Sequence, residues 1–270
     1  MSLPTFVTDD PFSAPGTATL GEDAAHHMRV RRLVTGVRVG LLDGVGTRGE
    51  GVLTQLAKRH AVVSVETAER VSAPAPVHLL VPVADRDRML WLAEKATELA
   101  LTSWRPVMYR RSKHVNPRGE GTTFQQKVRA RMAGALEQSQ GAWIPVTFPE
   151  ASVEHAIAGR PVGLAYVLDQ GARPLVGALR SALGSALGDA LGGAHGGALR
   201  EAKEPAAAPP ITLAVGPEGG FEAEELAALE AAGFARVALG SGILRFETAA
   251  LAGLAVVRAT LEALGGAGGP

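Results

Sequence analysis

Two glycine-rich stretches near the C-terminus hold the residues best suited to chemistry: LAVGPEGGF, from Leu213 to Phe221, and LGSGILRFETAAL, from Leu239 to Leu251. In the first, Gly216, Gly219 and Gly220 let the backbone come close to a ligand, and Pro217 stiffens the turn. Glu222, Glu224 and Glu225 follow in what reads as a first helical turn, where carboxylates suit the positive end of the helix and disfavour a bound phosphate. Such a turn is matched to an uncharged or cationic group, and Glu218 could face a positive charge. In the second stretch Gly240 and Gly242 give a sharp turn, Ile243 and Leu244 supply apolar walls, and Arg245, Glu247 and Thr248 open a helix. An apolar β-branched run precedes each turn and a helical pattern follows it, so each is read as strand, glycine turn, helix.

The rest of the chain falls into two regimes. Residues 1 to about 72 are β-rich: Val37 to Asp43, Gly51 to Leu56 and Ala61 to Thr67 read as strands. Gly44, Gly46 and Gly49 spell GxGxxG, but a strand follows where a dinucleotide phosphate needs a helix N-terminus, so this is a hairpin turn built on Asp43-Gly44. After the linker Val71 to Pro76, apolar runs alternate with helical patterns. Strands are expected at Val77 to Val83, Trp104 to Met108, Val162 to Leu168 and Ile211 to Val215, and helices at Met89 to Ala100 and over residues 123 to 139. This alternation argues for an α/β domain with parallel strands over residues 77–270. Within it, residues 173–210 are low in complexity. Leu179, Leu183, Leu187 and Leu191, then His195 and Leu199, recur every fourth residue. The many glycines make each turn costly, so a poorly ordered insertion, at most a loose helix, is expected.

Composition bounds the partners. The chain has 270 residues, no cysteine and a formal net charge of zero. No apolar run reaches membrane-span length, and the N-terminus lacks the pattern of a signal peptide, which makes cytoplasm the expected compartment. The seven histidines are scattered without metal spacing, so no metal site is expected, and no serine sits in a hydrolase elbow. Charge is uneven: residues 1–160 carry 20 Lys+Arg against 16 Asp+Glu, and residues 161–270 carry 7 against 11. Arg105, Arg110, Arg111, Lys113, Arg118, Lys127, Arg129 and Arg131 cluster against the single acid Glu120, a footprint suited to a phosphate backbone or, equally, to a solvated helix face. Upstream, His26, His27, Arg29, Arg31 and Arg32 crowd one short segment, which suits contact with RNA or solvent alike.

GPEGGF, followed about twenty residues later by LG-x-x-ILR-x-ETA, resembles the signature of the ribosomal RNA small-subunit methyltransferase E family, uridine N3-methyltransferases of the SPOUT class. The V-x-R step at Val30 to Arg32, EKATELA at Glu94 to Ala100, RRS at Arg110 to Ser112 and EQSQ at Glu137 to Gln140 extend the resemblance over nearly the whole chain. It implies a PUA-like β-barrel for RNA over residues 1–72. It also implies a C-terminal α/β domain whose last strands and helix form a trefoil knot around S-adenosylmethionine, and a homodimer acting on 16S ribosomal RNA. The cofactor pocket would use Gly216, Glu218, Gly219 and Gly220 from the first loop and Leu239, Gly240, Ile243, Leu244 and Arg245 from the second, with Leu168 and Asp169 as a third wall. RNA would meet His26, Arg29, Arg31, Arg32, Arg86, Arg88, Arg110 and Arg111.

Methyl transfer to uracil N3 requires in-line approach and removal of the imide proton. Glu98, Arg111 and Glu247 are the candidates for positioning or proton handling, although Lys95 and Glu98, three apart on a helix, could simply pair. Gly141 and Gly242 stand where the family has arginine, and Phe246 where it has threonine. Two other readings stay open at this level: a ribosome-binding assembly protein that has lost catalysis, and a SPOUT enzyme acting on another RNA site.

Overall fold

In the computed structural model of the protein, residues 3–112, 121–192 and 208–265 are described, and they divide into two compact units. The first takes in Met1–Pro74, Ala93–Ala100 and Gln126–Pro145, and the second Ala75–Leu92, Leu101–Gln125 and Val146–Pro270.

The first unit contains β1 (Thr5–Val7), β2 (Gly16–Leu20), α1 (Glu22–Val30), β3 (Arg38–Leu42), β4 (Thr47–Leu56) and β5 (Ala61–Arg70). The strands form one sheet in the order β1-β3-β4-β5-β2, with only β1 and β3 parallel. Alternation puts Val39, Leu41, Leu53 and Val63 on the inner face, where Phe6, Leu20 and Met28 close the core. The β3–β4 connection is the expected hairpin: Asp43 Oδ1 accepts hydrogen bonds from the amides of Val45 (2.8 Å) and Thr47 (2.7 Å), and Gly44 and Gly46 take positive φ.

Glu137, near the C-terminal end of a helix described below, belongs to this unit. It accepts the Val7 amide at 3.0 Å and lies 3.6 Å from His27 Nδ1. Burial raises its carboxyl above the ordinary glutamate value of 4.5, against the opposing pull of the Val7 amide, His27 and Arg31. A raised value in the folded state means stability present at low pH and lost as pH climbs from the unfolded toward the folded value. Glu137→Gln keeps an acceptor for Val7 and abolishes that loss. Denaturant unfolding is expected to show the variant gaining on the wild type as pH rises above 4.5.

The second unit is built on β6 (Val77–Pro82), β7 (Ser103–Met108), β8 (Val146–Thr147), β9 (Ala151–Ser152), β10 (Leu164–Pro174), β11 (Ile211–Val215) and β12 (Ala235–Ala238). Its connecting helices are α2 (Arg86–Glu98), α3 (Gly121–Ser139), α4 (Val153–Ala158), α5 (Leu175–Gly192), α6 (Ala223–Ala231) and α7 (Phe246–Gly265); the C-terminal parts of α2 and α3 fall in the first unit. All strand pairs are parallel. The order is β12-β10-β11-β6-β7, and β8 and β9 both pair with β7. Among the described residues, β11 alone joins the β10–β12 half to the β6–β7 half. Its five residues, ITLAV, are all buried, as a strand covered on both faces requires. One face packs Leu80, Val107, Val167 and Ala214 against α4 and α6. On the other, α7 lies against β6 and β11, and Gly253 lets it approach so closely that a Cβ there would stand 3.2 Å from Leu168.

In the first part of the low-complexity stretch the helix that the leucine spacing allowed is present. Leu175–Gly192 is a helix, α5, with Leu175, Leu179 and Leu183 buried next to α7. The fourfold leucine spacing wins over the glycine cost because burial of an apolar stripe, rather than propensity, stabilises most protein helices. Residues 193–207 of that stretch, with His195 and Leu199, and Lys113 and Arg118 of the basic cluster lie outside the described residues.

Candidate active site

The C-terminal ends of β11 and β12 and the middle of β10 converge on one cavity of about 360 Å³, the end of a parallel sheet where α/β proteins bind ligands. Leu168 comes from β10, Val215 from β11 and Val237 from β12. Gly216, Glu218, Gly219 and Gly220 of the first loop and Leu239, Gly240, Ile243 and Leu244 of the second all line it. Of the expected cofactor residues only Arg245 is not in the lining; its side chain is exposed. Asp169, Gln170, Ala238, Gly242, Pro217, Phe221, Phe246 and Ala249 complete the wall.

Each loop is shaped by contacts remote in sequence. The first closes as a turn in which the Gly220 amide donates to Pro217 O (2.8 Å), with Gly220 at φ +75°. Gly216 lies under Phe221, whose ring edge meets Tyr109 at 5.1 Å between centroids, and a Cβ on Gly216 would come 2.8 Å from that ring. The second loop is held by Gln170, whose Nε2 donates to Ser241 O at 3.0 Å. Arg236 secures the neighbouring Asp169, its Nε 2.8 Å from the carboxylate.

Charged groups brace the first loop from the turn after β7 and from α2. Arg111 donates through Nε to Glu222 (2.6 Å) and through Nη1 to Gly219 O (2.6 Å). Arg110 pairs with Glu224 at 2.5 Å. Arg88 pairs with Glu218 and lies 3.9 Å from Glu247. Glu225, only 7% exposed, has a function that its place in a run of glutamates did not reveal. One carboxylate oxygen accepts the Arg110 amide (2.7 Å) and the other the Glu222 amide (2.8 Å). The second bond belongs to a capping box between Glu222 and Glu225. The spacing of three was the legible signal; the reach to Arg110 was not.

The three candidates for proton handling part company. Lys95 binds Glu98 at 2.8 Å and Glu94 at 2.9 Å, and these bonds raise the Lys95 ammonium above its ordinary value. Glu98 is thus the helical pair that its spacing allowed, and it does not line the cavity. Arg111 is a brace on the loop backbone. Glu247, buried at the start of α7, is not in the cavity lining either, though its neighbour Phe246 is, and it keeps one oxygen, Oε2, without a hydrogen-bond partner among the described residues. Arg111→Met is expected to cost under about 1 kcal/mol of stability, because both ends of its ion pair are substantially exposed. Calorimetry should nevertheless show S-adenosylmethionine binding weakened about threefold once the Gly219 carbonyl loses its donor.

Of the residues expected at RNA, His26, Arg29, Arg31 and Arg32 are exposed along α1 and the turn after it. Arg29 is partly engaged, donating to Ala25 O and Lys58 O. Arg31 borders a cleft of about 590 Å³ in the first unit, together with Asp23, His27 and Glu137; this cleft lacks the glycine backbone of the sheet-end cavity. Arg86 and Arg88 are half-buried at the start of α2, and Arg88, Arg110 and Arg111 are all paired with acids of the first loop or α6. Among the described residues no group of His, Asp and Glu could hold a metal ion, and no helix is long and apolar enough to cross a membrane.

Comparison with known proteins agrees with this geometry. The RNA methyltransferase domain family matches residues 71–258 and the RNA methyltransferase PUA domain family residues 20–66. A ribosomal RNA small subunit methyltransferase E from Synechocystis sp. is 30% identical over 252 residues, covering 91% of this chain and 74% of that protein. Among solved structures, a methyltransferase from Legionella pneumophila in complex with S-adenosylmethionine has a TM-score of 0.79 at 20% identity, over 96% of this chain and 98% of its own. A ribosomal RNA small subunit methyltransferase E from Neisseria gonorrhoeae bound to S-adenosylmethionine has a TM-score of 0.75 at 24% identity, again over 96% and 98%. At these identities the two structures share the fold.

Proposed function

The chain belongs to the RNA methyltransferase family that includes the ribosomal RNA small subunit methyltransferase E proteins, and on that premise we propose that it methylates N3 of a uridine in 16S ribosomal RNA. The observation that carries this reading is the sheet-end cavity, in which both glycine loops and Leu168–Gln170 of β10 meet. Its residues fit S-adenosylmethionine. Leu168, Leu239, Ile243, Leu244 and Phe246 offer apolar walls, the glycines expose backbone donors and acceptors for adenine, and no lysine or arginine lines the cavity to repel a sulfonium.

When bound there, the cofactor supplies a methyl group on positively charged sulfur. Transfer of that methyl to uracil N3 would require the imide proton to be taken up. This chain's part is to hold the two reactants in line and to accept the proton. We assign positioning to Arg111, through the Gly219 carbonyl, and proton handling to Glu247, which lies just behind the lining residue Phe246 in sequence and whose Oε2 is without a partner among the described residues. The exposed His26, Arg29, Arg31 and Arg32 are assigned to RNA. Residues 1–72 serve as the RNA-binding domain and residues 77–270 as the methyltransferase domain. A trefoil knot in the C-terminal part, a homodimer and a cytoplasmic location belong to the same reading.

The deciding experiment is a nucleoside map of 16S ribosomal RNA from a strain lacking the gene. Loss of N3-methyluridine, restored by the wild-type gene, is the expected result; an unchanged level would rule the reaction out.

A further inference from the structure

A second cavity, of about 150 Å³, lies at the opposite end of the parallel sheet. Its floor is a polar row across three adjacent strands: Thr212 of β11 is in register with His78 of β6, and His78 with Ser103 of β7. All three sit at the N-terminal ends of their strands. A five-residue strand spans about 16 Å, so this row is a strand's length from the cavity fed by the C-terminal ends. The face is the one where Leu80 and Ala214, two residues further along, pack in the core beneath α4 and α6.

Two polar atoms of that row are buried without a partner among the described residues: His78 Nε2 and Thr212 Oγ1. Thr212 is only 1% exposed. His78 Nδ1 is already engaged, 2.7 Å from Ser103 Oγ. With that hydroxyl donating to Nδ1, Nε2 carries its hydrogen toward the cavity. Buried polar atoms of this kind are rare in native cores and mark a missing water, ion or ligand. The cavity wall decides among these. It contains Arg105, whose guanidinium lies 4.3 Å from the Phe148 ring centroid and has no hydrogen-bond or ion-pair partner among the described residues, and Arg160, which donates to Ala232 O at 2.7 Å. No aspartate or glutamate lines the space. Water would leave the positive charge uncompensated; an anion would not.

We propose that this cavity binds a single phosphate group, with Arg105 as the charge partner and Thr212 Oγ1 and His78 Nε2 as hydrogen-bond donors. The volume has room for a few molecules the size of water, at about 30 Å³ each, which suits inorganic phosphate and excludes a nucleoside. Burial and the charge of Arg258 hold His78 below its ordinary pKa, so it acts as a neutral donor. The site shares no lining residue with the cofactor cavity, and the proposal stands independently of the methyl-transfer reading.

The test is a titration of the full-length protein with sodium phosphate against sodium chloride at matched ionic strength, followed through the His78 ring signals by NMR and by calorimetry. Saturable binding that shifts His78 is expected. Arg105→Gln should weaken it about tenfold and Thr212→Val about threefold. A 5′-phosphorylated ribo-oligonucleotide added to the phosphate complex separates two sources: competition for the His78 shift assigns the site to a terminal phosphate of RNA, and its absence to the free ion. No saturable shift in the wild-type protein, an equal response to chloride, or full binding by Arg105→Gln would overturn the proposal.

Discussion

Glu225→Ala is expected to lower the unfolding free energy by about 3 kcal/mol, since hydrogen bonds to a charged acceptor contribute roughly 1.5–3 kcal/mol each and two amides lose theirs together. The melting temperature should drop by roughly 6–10 °C for a chain of this size. The two donors, the amides of Arg110 and Glu222, belong to segments 112 positions apart in sequence (110 and 222), and the carboxylate is the tie between them. Its loss frees the start of α6 and, with it, the turn from Pro217 to Gly220. Cofactor affinity should therefore fall as well, by about tenfold. Glu225→Gln retains one oxygen acceptor and should lose about half as much stability. Thermal unfolding and calorimetry on the three proteins check this. Equal stability of wild type and Glu225→Ala would mean that water replaces the carboxylate at no cost.

The second large effect separates the two glycine loops. Gly220 has a φ of +75°, a conformation that costs an L-residue about 1–2 kcal/mol and a β-branched one more. Gly220→Val must therefore move the loop backbone, and both melting temperature and S-adenosylmethionine affinity should fall, the latter tenfold or more. Gly240 is different. Its φ is not in the left-handed range and a Cβ there meets nothing within 4 Å, yet it lines the cavity. Gly240→Val should melt within about 2 °C of the wild type while binding the cofactor about tenfold less well, because the side chain takes room that the ligand needs. Undiminished affinity in Gly240→Val would remove the second loop from the binding site.

What could be read from the chain alone follows physical range. β11 was legible to the residue, because a short apolar run flanked by Pro209-Pro210 and Gly216 has few other readings. Both glycine loops were legible for the same reason: strand, glycine and helix patterns are local. β1 and β2 were not, since Thr5–Val7 is three residues long and the segment between them, TDDPFSAP, reads as a loop on either side. α5 was legible only as a possible loose helix, because glycine penalties are visible in sequence and the neighbouring helix that offsets them is not. Among charged residues, the pairing of Lys95 with Glu98 could be read from a spacing of three. That of Arg88 with Glu218 could not, for it spans 130 positions. Arginines that look like a surface for RNA in the sequence, Arg110 and Arg111 among them, are in the fold partly committed to the acids of α6.

The position of β11 also constrains how the protein comes into being. During synthesis β6 and β7 emerge and pair first, and β10 follows with no edge of that sheet to join, because among the described residues its neighbours are β11 and β12 alone. Until Ile211–Val215 has left the ribosome, the nascent chain carries the β6–β7 fragment with an open parallel edge and β10 as an unpaired strand, each a template for misassociation. Closure is a single late event of high contact order, which makes for slow folding. Refolding should accordingly be limited by the insertion of one five-residue strand, and a substitution such as Leu213→Ala, at its centre, should slow folding more than it hastens unfolding if that insertion forms the transition state.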